Sequence, residues 1–269
     1  MFALDDEDPH MPAFKRYIGI DYSGATTPNS GLKGLRVYAA TVTGQAVEVL
    51  PPPGARKYWT RQGVAHWLAD RLSEDIPTLV GIDHGFSFPL QYFEKYRLPL
   101  DWRSFLDDFQ RYWPTDLNDI YVDFIREGMV GDGKNRMGDA RWRRVCEIRC
   151  RAKSVFHFDV QGSVAKSTHA GLPWLRYLSR QLDTKVHFWP FDGWDIVNHR
   201  SAVLEAYPAL YKHGYSVENR SPDQHDAYAI ASWLRDRDQL GGLLDALHPA
   251  LSKDERKMAE VEGWILGVA

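Results

Sequence analysis

Apolar and polar positions along the chain separate strands from helices. Arg16-Tyr17-Ile18-Gly19-Ile20-Asp21 is an apolar run that delivers one aspartate into the turn Tyr22-Ser23-Gly24. Such a run, bounded by turn residues, predicts a buried strand. Residues 24–31 hold Thr26, Thr27, Pro28, Asn29 and Ser30 between two glycines and predict a loop. Residues 35–42 and 46–50 read as two further strands across the short turn Thr43-Gly44-Gln45, so the first three strands predict an antiparallel meander. Pro51-Pro52-Pro53-Gly54 breaks the chain, and Thr60 then caps a helix with Val64, Trp67, Leu68 and Leu72 on its apolar face. Residues 78–83 form a fourth strand ending in Asp83. A right-handed crossover places that strand beside the first and parallel to it. Asp21 and Asp83 are then expected at adjacent strand ends, where the ligands of α/β folds collect.

From residue 84 to about 195 the pattern changes. Residues 89–96, 101–112 and 118–127 predict short helices, 128–138 a glycine-rich loop, 171–182 a helix and 185–189 a short strand. This block reads as a mainly helical insertion. The core pattern returns at 201–206 as a fifth core strand carrying Glu205. Helices at 223–236, 239–247 and 252–261 follow, and the apolar tail Gly263-Trp264-Ile265-Leu266-Gly267 is expected to pack. The fold class predicted is α/β: a mixed five-stranded sheet flanked by helices, in the strand–strand–strand–helix–strand order that opens RNase H-like folds. One domain spans 16–269, with its core at 16–83 and 196–269. Residues 1–15 are expected to be a disordered acidic tail.

Composition narrows the function classes. The apolar fraction of 44% supports a substantial core, and a net charge of −3 argues against a uniformly basic nucleic-acid binder. No apolar run approaches the length of a membrane span, and the N-terminus lacks signal-peptide character, so a cytoplasmic protein is expected. The two cysteines, Cys146 and Cys150, lack the further ligands a thiolate metal site needs and read as free thiols.

The carboxylates carry the candidate chemistry. Asp21, Asp83, Glu205, Asp223 and Asp226 are hard oxygen ligands suited to Mg²⁺ or Mn²⁺. Two such ions about 3.5–4 Å apart can activate a water and stabilise a leaving oxygen in phosphodiester hydrolysis. Asp223 and Asp226 share the first turn of a helix and can approach one side of it, although Asp223 would equally serve as an N-cap. Glu205 lies among Val203, Leu204, Ala206 and Tyr207, so its charge should be met by a metal or another cation. His84 and His225 neighbour the acids and are candidates to assist a water, or simply to support the ligands. Residues 134–153 are rich in Lys and Arg. Arg141, Arg143, Arg144, Arg149, Arg151 and Lys153 read either as a phosphate-backbone track with Trp142 stacking on a base, or as a solvated face. Ser163–Thr168 lacks the Gly-x-x-x-x-Gly-Lys-Ser/Thr form of a P-loop.

Ile18-Gly19-Ile20-Asp21, Gly81-Ile82-Asp83, Ser163 through Leu175, Glu205-Ala206-Tyr207-Pro208, Asp226 through Ala231 and Glu262-Gly263-Trp264-Ile265 together resemble the domain of unknown function family 429, described as predicted nucleases of RNase H-like fold. The resemblance implies a metal-dependent nuclease with Asp21, Asp83, Glu205 and Asp226 at the site and nucleic acid, DNA or RNA, as partner. Asp223-x-x-Asp226 is also similar to the paired acids of RuvC-type resolvases. The chain departs from the family pattern after its second aspartate, where His84-Gly85 stands in place of a small residue and proline. Two other classes stay open. An actin- or sugar-kinase-like ATPase would use Asp83-His84-Gly85-Phe86-Ser87 as a phosphate turn and Gly241-Gly242 near adenosine. A non-catalytic binding module would keep the acids as structural residues.

Overall fold

A computed structural model describes residues 11–54, 56–197 and 199–269. Its centre is a mixed six-stranded sheet made of β1 (Arg16–Asp21), β2 (Arg36–Thr41), β3 (Val47–Glu48), β4 (Thr78–Asp83), β5 (Val186–Phe188) and β6 (Ser201–Glu205), in the order β3-β2-β1-β4-β6-β5. The β1–β2 and β2–β3 pairs are antiparallel, and β4, β6 and β5 run parallel to β1. The expected meander and the parallel fourth strand are both present. The strand count differs from the five expected, because residues 186–188, read as part of the insertion, form the sheet edge beside β6. All three are buried, and a buried backbone needs partners for its N–H and C=O groups.

Side chains alternate across the sheet and build one core on each face. Ile18, Ile20, Val80, Ile82 and Val203 belong to the first, against α1 (Arg61–Ser73), α6 (Ala165–Leu182) and the insertion helices α2 (Leu90–Tyr96), α3 (Trp102–Tyr112) and α4 (Val122–Arg126). Tyr17, Leu79, Ala202 and Leu204 belong to the second. That face is covered by α7 (Pro222–Gln239), α8 (Leu243–Leu247) and α9 (Lys253–Glu262), with the buried tail Trp264-Ile265-Leu266. The short α5 (Val145–Arg149) packs beside α9.

Two glycines set how close α7 comes. Gly19 and Gly81 are register partners on β1 and β4. A Cβ at Gly19 would collide with the Ala227 carbonyl and the Ala231 amide, and one at Gly81 would sit 2.6 Å from Ile230 Cγ2. The bare patch lets α7 lie directly on the central strands. On the other face, α6 begins six residues before the expected start and carries Pro173 within it. The carbonyl that Pro173 leaves without its helical partner, that of His169, accepts the Thr115 hydroxyl at 2.7 Å. The expected acidic tail falls largely on residues 1–10, outside the described residues. Its end is ordered, contrary to expectation: the Ala13 and Phe14 amides donate to Asp238 at 3.0 and 2.9 Å, and Phe14 is buried. Among the described residues no helix is long and apolar enough to cross a membrane.

Candidate functional site

Asp21 and Asp83 end β1 and β4 and face each other in register. Strand alternation puts both on the α7 side of the sheet, and the close seat of α7 brings Asp223 and Asp226 from its first turns over the same strand ends. The four acids line one cleft of about 460 Å³, together with Tyr22, Ser23, Gly24, Ser163, Lys166, Ser167, Tyr207 and Lys212. Asp223 is not the helix cap. Ser221 takes that role in a capping box with Gln224, which leaves the Asp223 carboxylate for the cleft.

Among the described residues, the Asp21, Asp83 and Asp223 carboxylates have neither a hydrogen bond nor an ion pair. Asp226 alone is partnered, by Lys212 Nζ at 2.9 and 3.0 Å. The crowding is visible in the proton affinities. Burial raises Asp21 well above the ordinary carboxylate range, and the negative charges of Asp83, Asp223 and Asp226 add to the effect, with Lys212 opposing it. Burial, Asp226 and Glu205 push Asp83 up to about 8. Four convergent carboxylates against the Lys212 ammonium, with Lys166 on the wall already paired with Asp123, are a donor set that calls for further positive charge, and their oxygen-only chemistry fits Mg²⁺ or Mn²⁺. Among the described residues no three His, Cys, Asp or Glu side chains already form a coordinating group.

Glu205 is corrected from a candidate ligand to a structural anchor. Its register partner is Ile82, one position before Asp83, so it projects from the opposite face of the sheet. There it is 4% exposed and takes Arg144 in a two-pronged ion pair at 2.6 and 2.7 Å, and it accepts the Phe86 amide at 3.0 Å. The cation its buried position requires is this guanidinium. Arg144 also bonds Glu147 and the Glu262 carbonyl, so its nucleic-acid role is corrected as well: it is 1% exposed.

The histidines are corrected too. His84 does not line the acid cleft. Its ring is buried between Tyr22, Phe86 and the Gly171 backbone, with Nδ1 2.9 Å from the Gly85 carbonyl. Burial lowers it to about 4, against the partial support of that carbonyl, so it is neutral at physiological pH. His225 is buried on α7 with Nε2 3.2 Å from the Lys212 carbonyl, and it too lies outside the cleft lining. Both brace the site from behind.

Half of the six named basic residues are tied to carboxylates. Arg141 pairs with Asp139 and Arg149 with Glu255, each at 2.6 Å, and Lys153 donates to the Gln161 carbonyl. Trp142 is half-buried, edge-on to Phe156, with Lys95 over its ring. Only Arg143 and Arg151 of the named contacts are exposed without an ion pair among the described residues. Both cysteines are free, Cys146 buried and Cys150 half-buried.

Sequence reasoning missed Lys212, Lys166, Ser23 and Ser163 as cleft residues, and Arg61 as their support. Arg61 is fully buried at the start of α1 and donates to the Ser23, Ala25 and Thr26 carbonyls at 3.2, 2.6 and 2.8 Å, fixing the loop that follows Asp21. No local signal marks Lys212, which sits in a 3₁₀ turn after β6. The phosphate turn of an ATPase is not available: the Gly85 amide donates to Thr168 Oγ1 and the Phe86 amide to Glu205, while Gly241 and Gly242 lie outside the cleft. No family model, curated protein or solved structure matches this chain.

Proposed function

We propose that the protein is a divalent-metal-dependent phosphodiester hydrolase of RNase H-like architecture. One observation carries it: Asp21 and Asp83 sit side by side on adjacent parallel strands, without a hydrogen-bond or ion-pair partner among the described residues, with Asp223 and Asp226 lining the same cleft. The order β3-β2-β1-β4-β6 supports the architecture, and the resemblance to the predicted-nuclease family points the same way.

Asp21, Asp83, Asp223 and Asp226 would hold the metal. A bound divalent ion supplies Lewis-acid charge and a water of lowered pKa. The chain itself supplies the setting. The paired strand ends hold two carboxylates at one level, α7 adds two more, and Arg61 keeps the Ser23–Thr26 loop against the cleft. Lys166 and Lys212 place positive charge on the walls, where an anionic ester would be drawn in and oriented. With His84 held neutral and turned away, proton removal from an attacking water falls to the cleft carboxylates.

Calorimetric Mn²⁺ titration of the wild type and of Asp21→Ala tests this. Binding in the wild type that is lost in the variant, with Mn²⁺-dependent cleavage of a phosphodiester that fails in the same variant, is expected. A wild type that binds no Mn²⁺, even with a phosphodiester present, overturns it in favour of structural acids on a binding module.

A further inference from the structure

We infer that the cleft takes a short phosphoester, one or two nucleotides in size, and not a nucleic-acid strand laid along residues 134–153. The inference rests on the hydrolase reading and narrows its substrate.

Affinity for a nucleic-acid backbone comes from cations placed at successive phosphates. Of the eight cations in the one stretch rich enough to supply them, four are tied to carboxylates. Arg136 is held two-pronged by Asp108 at 3.0 Å and lies over the rings of Tyr96 and Tyr112 at 4.6 and 4.3 Å. Arg141 pairs with Asp139 while its side chain stays 89% exposed, Arg149 pairs with Glu255, and Arg144 is sealed in the interior. Lys134, Arg143 and Arg151 are left exposed and Lys153 meets only the Gln161 carbonyl, so these four lie scattered along the stretch. A stacking platform is missing as well, because Trp142 is wedged beside Phe156 and covered by Lys95.

The cleft has the opposite character. Its volume of about 460 Å³ falls in the range of roughly 300–1,000 Å³ that encloses small ligands. Its wall is shut where Gly24 meets the backbone of Lys166 and Ser167, with no room there even for a methyl group. Lys166 and Lys212 line it, the first paired with Asp123 and the second with Asp226 of the cleft itself, a pair that a metal held by Asp226 would release. Ser23 and Ser163 each accept a backbone N–H through their hydroxyl oxygen, which leaves the hydroxyl proton for a ligand oxygen. The positive groups match one or two phosphoryl groups. Among the described residues the cations of the cleft lining are Lys166 and Lys212, with Lys153 beside Gly162 at its rim, and a longer polyanion is repelled by the carboxylate floor.

The test compares bis(para-nitrophenyl) phosphate, a dinucleotide, a long single strand and a long duplex with Mn²⁺ over a salt series. The dinucleotide should be turned over with a kcat/KM at least equal to that of either long substrate. Its KM should change only weakly with salt, because a dinucleotide lacks the condensed counterions whose release makes binding of a long strand steeply salt-dependent. The exposed double variant Arg143→Glu/Arg151→Glu should leave every rate unchanged. A tenfold preference for a long strand, a dinucleotide KM that changes steeply with salt, or a loss of strand cleavage in the double variant overturns the inference alone. No turnover of any of the four by the Mn²⁺-bound protein overturns the hydrolase reading and this inference with it.

Discussion

Replacing Asp83 with Asn should make the metal-free protein more stable. Asp83 has its proton affinity raised from the ordinary 3.8 to about 8 by burial and by Asp226 and Glu205. A carboxyl whose pKa is higher folded than unfolded binds its proton more tightly in the native state. Its contribution is therefore most favourable below the ordinary value, declines as pH rises, and is fully unfavourable above about 8. Four tenfold steps at about 1.4 kcal/mol each set a ceiling of roughly 6 kcal/mol. Water reaching a half-buried carboxylate screens part of that, so a gain of about 2–4 kcal/mol near pH 9 is the expectation. For a chain of this size each kcal/mol moves the melting midpoint by about 2–4 °C. Thermal unfolding of Asp83→Asn should thus show a midpoint raised by at least about 4 °C near pH 9, converging on the wild type as pH falls towards about 4. Millimolar Mn²⁺ should narrow or reverse the gap by stabilising the wild type more. A variant equal to or less stable than the wild type near pH 9 without metal would refute the claim that these acids are held together against their repulsion.

Three further outcomes follow from the same geometry. Lys212→Met removes the ammonium that occupies Asp226 and should tighten Mn²⁺ binding about fivefold or more by calorimetry, since a competing charge worth about 1 kcal/mol is gone; weaker binding would give Lys212 a supporting role instead. Arg144→Met leaves Glu205 and Glu147 in the interior without their cation and should cost about 3–5 kcal/mol in urea unfolding, with part of that recovered in Arg144→Met/Glu147→Gln/Glu205→Gln; an unrecovered triple variant would count against the ion pairs as the source. Gly19→Ala forces α7 off β1 and should destabilise by about 1–3 kcal/mol while weakening Mn²⁺ binding, because Asp223 and Asp226 move with the helix; unchanged metal affinity would separate α7 from the site.

Local pattern carried much of this protein. Apolar runs ending in Asp21 and Asp83, the turn glycines and the crossover rule are sufficient to place two carboxylates on neighbouring strands, and the register of β1 against β4 bears that pairing out. The spacing of Asp223 and Asp226 in a first helical turn likewise puts both on one side, and both line the cleft. Helices capped by Thr60 and Ser252 start where their side chains accept the N3 amides. These features depend on residues close in sequence, or on a connection rule that needs no side-chain detail.

What only the tertiary structure decided depends on register and on contacts between distant residues. Glu205 has the same strand-end look as Asp21 and Asp83, but pairing with Ile82 turns it to the other face, because one residue of register exchanges the two sides of a strand. Its partner Arg144 lies 61 positions away in the insertion, and the same folding that buries that guanidinium brings Glu255 to Arg149 and Asp108 to Arg136. A run of basic residues in sequence thereby has half of its charges tied to carboxylates. Lys212 acquires its role only when α7 settles on Gly19 and Gly81 and carries Asp226 to it. Charge in a sequence is a count, whereas its availability to a ligand is set by which opposite charges the fold has already brought within reach.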